Sequence, residues 1–142
     1  METKEKTVTI EVKALVNSPI EKVWKYWTTP EDIIKWNNAS DDWHTPKAEN
    51  DLIKGGKFLC RMEAKDGSVG FDFWGIYTEV KTNKLIEYTM GDGRKVKIEF
   101  TAHANETSIV ESFEAETVNS IEMQRNGWQA ILDNFKKYAE AK

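Results

Sequence analysis

Residues 119–141 read NSIEMQRNGWQAILDNFKKYAEA. Ile121, Gln124, Trp128, Ile131, Leu132, Phe135 and Tyr138 recur there at steps of three and four, which lays one broad, largely apolar stripe along a helix. Asn119 stands at the cap position, Glu122 three residues on can reach back to it, and Lys136 and Lys137 lie near the end that favours cations. About 20 residues of helix span roughly 30 Å, the width of a small domain. So much aromatic surface is not stable free in water, so the helix predicts a broad apolar surface elsewhere in the chain. Gly127, beside Trp128, costs roughly 1 kcal/mol of helix propensity relative to Ala. It either admits a close approach by backbone or ligand, or it is a tolerated exposed glycine.

The preceding hundred residues supply that surface as strands. Residues 1–6 are charged and aperiodic and read as a disordered tail, leaving 7–142 as a single domain. From Thr7 to Val16 the chain alternates, with Val8, Ile10, Val12 and Ala14 on one side. Ser18, Pro19 and Glu21 form a helix start of N-cap hydroxyl, first-turn proline and capping-box glutamate, followed by an apolar face of Ile20, Val23, Trp24 and Trp27. Thr29-Pro30 repeats the device ahead of Ile33, Ile34 and Trp36. Residues 37–45 (NNASDDWHT) are polar and read as a loop carrying Trp43 and His44, leading to a short edge strand near Lys47–Glu49. Gly55-Gly56 opens a strand with Phe58, Cys60 and Met62 on one face, and Asp66-Gly67 is a hairpin signal. Gly70–Val80 follows, with Phe71, Phe73 and Tyr77 on one side and Trp74 and Ile76 on the other, as expected of a central strand covered on both faces. Turns at Thr82-Asn83, Gly91-Asp92-Gly93 and Ala104-Asn105 separate three further strands. The fold class is therefore α+β: a curved antiparallel sheet of six or seven strands, two short helices after the first strand, and a long C-terminal helix.

Composition narrows the function. At 142 residues with net charge −4 and a pI near 5.3, the chain lacks the basic surface that nucleic acid or an anionic membrane demands. No apolar run approaches the ~18 residues of a membrane span, and the charged start has no secretory signal. One cysteine, Cys60, forms no internal disulfide, and a reducing cytoplasm is its simplest home. One Cys and two His, His44 and His103, give no zinc spacing, and no phosphate-binding or serine-hydrolase motif is present. No metal and no cofactor are expected. Cys60, between Phe58 and Met62, reads as a small buried hydrophobe rather than a nucleophile.

A curled sheet of six or seven strands has a hollow that one straight helix does not fill. The residues expected to face it are Phe58, Met62, Phe71, Phe73, Tyr77, Tyr88, Ile98, Ile109 and Phe113 from the strands, and Trp128, Ile131 and Leu132 from the helix. An apolar pocket of this kind is the usual form of a small-molecule site. Burying each large side chain contributes roughly 1.5 to 3 kcal/mol, so the same residues also serve as plain core. If Ile109 and Phe113 face inward, the period of two brings Glu111 with them. A carboxyl among aromatics is a candidate acid, base or ligand anchor with a raised pKa. The alternative is a register that buries Val110, or a salt bridge to a neighbouring strand. His44, after Asp41 and Asp42, is the second candidate acid/base group, or else a loop histidine with local hydrogen bonds. Tyr77 and Tyr88 offer hydroxyls that either orient a ligand or complete the packing. Trp36 and Trp43 flank the polar loop as a candidate lid.

The set V-x-x-x-I-x-x-V-W-x-x-W-T-x-P-E at Val16–Glu31, Gly55-Gly56-x-Phe58, Gly75-x-Tyr77-x-Glu79-Val80 and Gly127-Trp128-x-x-x-Leu132 resembles the SRPBCC superfamily. Within it the match is to the group similar to the C-terminal domain of the activator of heat shock protein 90 ATPase. The resemblance covers nearly the whole chain. It implies a START-like, birch-pollen-allergen-like helix-grip fold and a hydrophobic cavity used for lipids, polyketides and other apolar ligands, with enzymes in some branches. Three functions follow as expectations. The first is a cytoplasmic binding protein for a small apolar molecule, a monomer or weak dimer. The second is a cyclase- or hydrolase-type enzyme using Glu111 or His44. The third is an interaction domain for a chaperone.

Overall fold

The computed structural model describes residues 8–142, so the tail expected at residues 1–6 lies outside the described residues. β1 (Thr9–Val16) is followed by α1 (Ile20–Thr28) and α2 (Pro30–Trp36). Then come β2 (Trp43–Asn50), β3 (Lys57–Ala64), β4 (Gly70–Lys81), β5 (Leu85–Met90), β6 (Lys95–His103), β7 (Glu106–Glu114) and α3 (Ile121–Glu140). The strands form one sheet in the order β1-β7-β6-β5-β4-β3-β2, antiparallel throughout. β2 to β7 are a meander, and β1 closes against its last strand. Tight turns at Gly67, Asn83, Gly93 and Ala104 place one residue each at positive φ, the backbone that short hairpins require.

α3 packs on β1 and α2 packs on β2, so helices cover both edges of the sheet while its middle lies open beneath them. Edge β1 has its free backbone groups occupied by α3 side chains: the Gln129 amide donates to the Lys13 carbonyl at 3.0 Å and the Lys136 ammonium to the Leu15 carbonyl at 2.7 Å. An edge so capped is a poor template for another strand. α1, α2 and α3 meet in an aromatic cluster of Trp27, Trp36 and Phe135, with ring centroids 4.8 to 5.0 Å apart.

Several local expectations are corrected. α3 is capped by Ser120, whose hydroxyl accepts the Met123 N–H at 3.1 Å. Asn119 instead donates to the Glu116 carboxylate, and Gln124 is buried with its amide on the Glu116 and Asn119 carbonyls. A serine one position later satisfies the helix N-terminus equally well, and the loop needs Asn119 elsewhere. α1 starts at Ile20 without a side-chain cap. The Ser18 carbonyl receives the buried Thr107 hydroxyl at 2.9 Å, tying this turn to β7. β2 begins at Trp43, so Trp43 and His44 lie on a strand and not in a loop. Its alternation is hidden by a register shift between His44 and Lys47, the interval that contains Pro46, which cannot donate to a ladder and is tolerated at an edge. β4 is an interior strand, but Trp74 and Ile76 on its convex side remain partly exposed, because no second layer covers that face.

Candidate functional site

Because α3 leans toward β1 and α2 toward β2, a cavity of about 220 Å³ remains over β3, β4, β5 and β6. Its floor is Phe58, Cys60 and Met62 of β3, Phe71, Phe73 and Tyr77 of β4, Ile86 and Tyr88 of β5, and Ile98 of β6. Trp128 and Ile131 of α3 and Trp27, Ile33 and Trp36 of the short helices close it from above, and Asn37, Glu49 and Asn50 lie at its β2 side. Gly75 shapes the floor. A Cβ there would lie 2.7 Å from the Phe58 ring and 3.0 Å from the Tyr88 ring, so the missing side chain lets those rings cross β4 at a centroid distance of 4.7 Å. Phe71 is 51 % exposed although its alternation points it to the concave side. It marks the open rim, where no helix lies overhead.

The polar groups fall into two sets. The Tyr77 hydroxyl donates to the Asn50 side-chain oxygen, and the Asn50 amide donates to the Thr28 carbonyl, a chain that ties β4, β2 and α1 together. Those groups are occupied by structure. Glu111 and Tyr88 are not: each is 6 % exposed, lines the cavity, and makes no side-chain hydrogen bond with a described residue. No buried side-chain polar atom among the described residues is sealed away without a partner. The Glu111 carboxyl and the Tyr88 hydroxyl therefore open onto the cavity. Burial pushes the Glu111 carboxyl from its ordinary 4.5 up to about 8, because a charged carboxylate loses its hydration there. Burial likewise raises the Tyr88 hydroxyl well above its ordinary value, with Glu111 adding to the effect. The Tyr77 hydroxyl is raised by burial too, and the Cys60 thiol to about 11, so Cys60 stays a protonated, unreactive thiol.

Of the residues singled out from sequence, Phe58, Met62, Phe71, Phe73, Tyr77, Tyr88, Ile98, Glu111, Trp128 and Ile131 line the cavity. Phe113 and Leu132 do not; both are fully buried in the packed side of the core, where Phe113 stacks on Trp128 with centroids 3.9 Å apart. Trp43 is also outside, against Phe71 at 6.0 Å. His44 points away from the cavity on the edge strand, 3.8 Å from Glu63, which removes it as an acid/base partner of a ligand there. The lid of Trp36 and Trp43 is not formed: Trp36 is buried in the aromatic cluster with its indole N–H on the Tyr26 carbonyl at 3.0 Å. Gly127 has open space where a Cβ would sit, so it marks no close approach. Sequence reading missed the contributions of Trp27, Ile33, Asn37, Glu49, Asn50 and Ile86. The apolar faces of α1 and α2 were visible in the periodicity, but which wall they form depends on where those helices dock. No cluster of three or more candidate metal ligands occurs among the described residues.

A long helix gripped by a curled antiparallel sheet, with a hollow between them, defines a helix-grip protein of the SRPBCC type, a fold that typically binds hydrophobic ligands. Residues 17–140 match the family described as Activator of Hsp90 ATPase homolog 1-like protein, and the chain belongs to that family. The solution structure of the AHSA1-like protein from Aeromonas hydrophila is similar, with 45% identity and a TM-score of 0.88 over 94% of this chain and 93% of that one. A solution structure from Cytophaga hutchinsonii is 57% identical, with a TM-score of 0.79 over 95% and 92% of the two chains. A crystal structure from Nitrosomonas europaea shares the fold at 19% identity, with a TM-score of 0.80 over 94% and 95%. No curated protein matches the chain.

Proposed function

We propose that the protein binds a small, predominantly apolar molecule in the cavity between the sheet and α3. The observation that carries this reading is a hollow with aromatic and aliphatic walls that ends on two buried polar groups with no side-chain hydrogen-bond partner among the described residues. Stability alone favours neither feature. A void the size of a methyl group costs about 1 kcal/mol, and an unpaired buried polar group costs about 1 to 3 kcal/mol. A ligand that fills the space and meets Glu111 and Tyr88 offsets both. Native mass spectrometry of freshly purified protein should show a co-purified mass, and the neutral dye Nile red should bind with one-to-one stoichiometry. Empty protein with no saturable dye binding overturns the reading.

A second reading is supported by the same carboxyl. With a pKa of about 8, Glu111 can both give and take a proton near neutrality, as a cyclase- or hydrolase-type enzyme requires. Glu111→Gln then abolishes turnover and spares binding, whereas in a carrier it changes affinity alone. The family description supports a third, an interaction with a chaperone of the Hsp90 class. Stimulation of that chaperone's ATPase by the purified protein is its test, and absence of stimulation removes it.

A further inference from the structure

The chemical class of the ligand is written in the charges around the cavity, given the binding function just proposed. Every titratable group that faces it is an acid: Glu111 from β7, Tyr88 from β5, Tyr77 from β4, Cys60 from β3 and Glu49 from β2. α1, α2, α3 and β6 contribute only uncharged side chains, and no Lys, Arg or His occurs among the described residues that line it. Arg94 is the cation whose field reaches Tyr88. It does not line the cavity, and its guanidinium is held by the Asp92 carboxylate at 2.8 Å and the Glu114 carbonyl at 3.2 Å. A carboxylate or phosphate entering this space would lose its hydration and find no cation among the described lining residues to pair with. A cation can displace the Glu111 proton and pair with the resulting carboxylate in a low-dielectric site that no other described lining cation contests.

We infer that the cavity is an amine site: it takes an organic amine with an apolar body, seating the ammonium at Glu111 and Tyr88, accepts neutral alcohols less well, and excludes carboxylates. The apolar body lies along Phe58, Ile98 and Trp128, and the inner end meets the two groups that have no side-chain partner among the described residues. In the empty cavity Glu111 is largely protonated at neutral pH, so seating an ammonium beside it should expel close to one proton.

The test is a matched series that changes only the polar end: phenylbutylamine, phenylbutanol and phenylbutyrate, titrated calorimetrically near neutral pH in buffers of different ionisation heat. The amine should bind at least about tenfold tighter than the alcohol and about a hundredfold tighter than the carboxylate. Its binding should release about one proton, and the alcohol's none. Glu111→Gln should bring the amine-to-alcohol ratio close to about one, and Tyr88→Phe should weaken both ligands severalfold. Equal or tighter binding of the carboxylate overturns the assignment, as does an amine preference that survives Glu111→Gln. Silence from all three probes also overturns it, and Nile red then separates the two levels: if the dye still binds, only the amine assignment falls; if it does not, the binding function falls as well.

Discussion

Along β1 and β7, Ile10, Val12, Val16, Ile109 and Phe113 have almost no solvent exposure, beneath Leu132 and Phe135 of α3. Along β3 and β4, Phe58, Met62, Phe71 and Phe73 face the same side of the same sheet, yet they border a void, and Phe71 is half-exposed. The two regions are equally apolar. They differ in what lies above them, since α3 follows edge β1 and does not cross the middle of the sheet. Large apolar side chains become core only where a second element covers them, and elsewhere the same side chains become a wall.

Four substitutions test that contrast. The largest loss should come from the packed side: Phe135→Ala removes a solvent-free ring that meets Trp27 and Trp36, at about 3 to 5 kcal/mol of unfolding free energy in urea denaturation. Glu111→Gln should have an effect of comparable size and opposite sign, a gain over the wild type that grows as pH rises through the interval between the carboxyl's ordinary and folded-state pKa values. The folded-state pKa of about 8 lies above the ordinary 4.5, so between those values the unfolded chain holds fewer protons than the folded one. Stability is complete below that window and falls as pH rises through it. At about 1.4 kcal/mol for each tenfold change in proton affinity, the wild type's loss across that window approaches roughly 5 kcal/mol. Melting temperatures of the wild type should therefore decline from acid to alkaline pH more steeply than those of the variant. A parallel decline would show that Glu111 is not desolvated.

On the hollow side the expected pattern reverses. Phe73→Ala removes a half-buried ring that borders space, so it should cost under about 1.5 kcal/mol in stability while weakening Nile red binding at least about fivefold, about 1 kcal/mol. A stability loss as large as that of Phe135→Ala would mean that the two regions are packed alike. The smallest effect belongs to His44→Ala. The side chain is half-exposed on the edge strand, 3.8 Å from Glu63, so stability should move by no more than about 0.5 kcal/mol and ligand binding not at all.

The alternation of Ile109, Glu111 and Phe113 offered a carboxyl on the inner face as one of two readings, against a register that buries Val110 or a salt bridge to a neighbouring strand, because side chains on a strand repeat every two residues. The structure places Glu111 there, with Val110 on the other side. Trp43 and His44 were harder to place. Pro46 and the register shift around it erase the alternation of β2, and the polar stretch before it looks like loop. Phe113 and Leu132 satisfied every local criterion for a wall residue, yet they belong to the packed side. Trp27, Ile33 and Trp36 satisfied the criteria for helix core and turned out to border the cavity.

The order of elements, the inward face of every strand but β2 and the amphipathic stripe of α3 follow from the amino-acid sequence by itself, because turn chemistry and the two periodicities act over a few residues. Where α3 comes to rest is a different matter. Its position against β1 rests on contacts between residues more than a hundred positions apart, such as Gln129 with Lys13 and Lys136 with Leu15, and the cavity and the isolation of Glu111 with Tyr88 follow from that position together with the docking of α2 on β2. No local pattern encodes such contacts, so the tertiary structure alone decided which aromatic residues became core and which became the walls of a site.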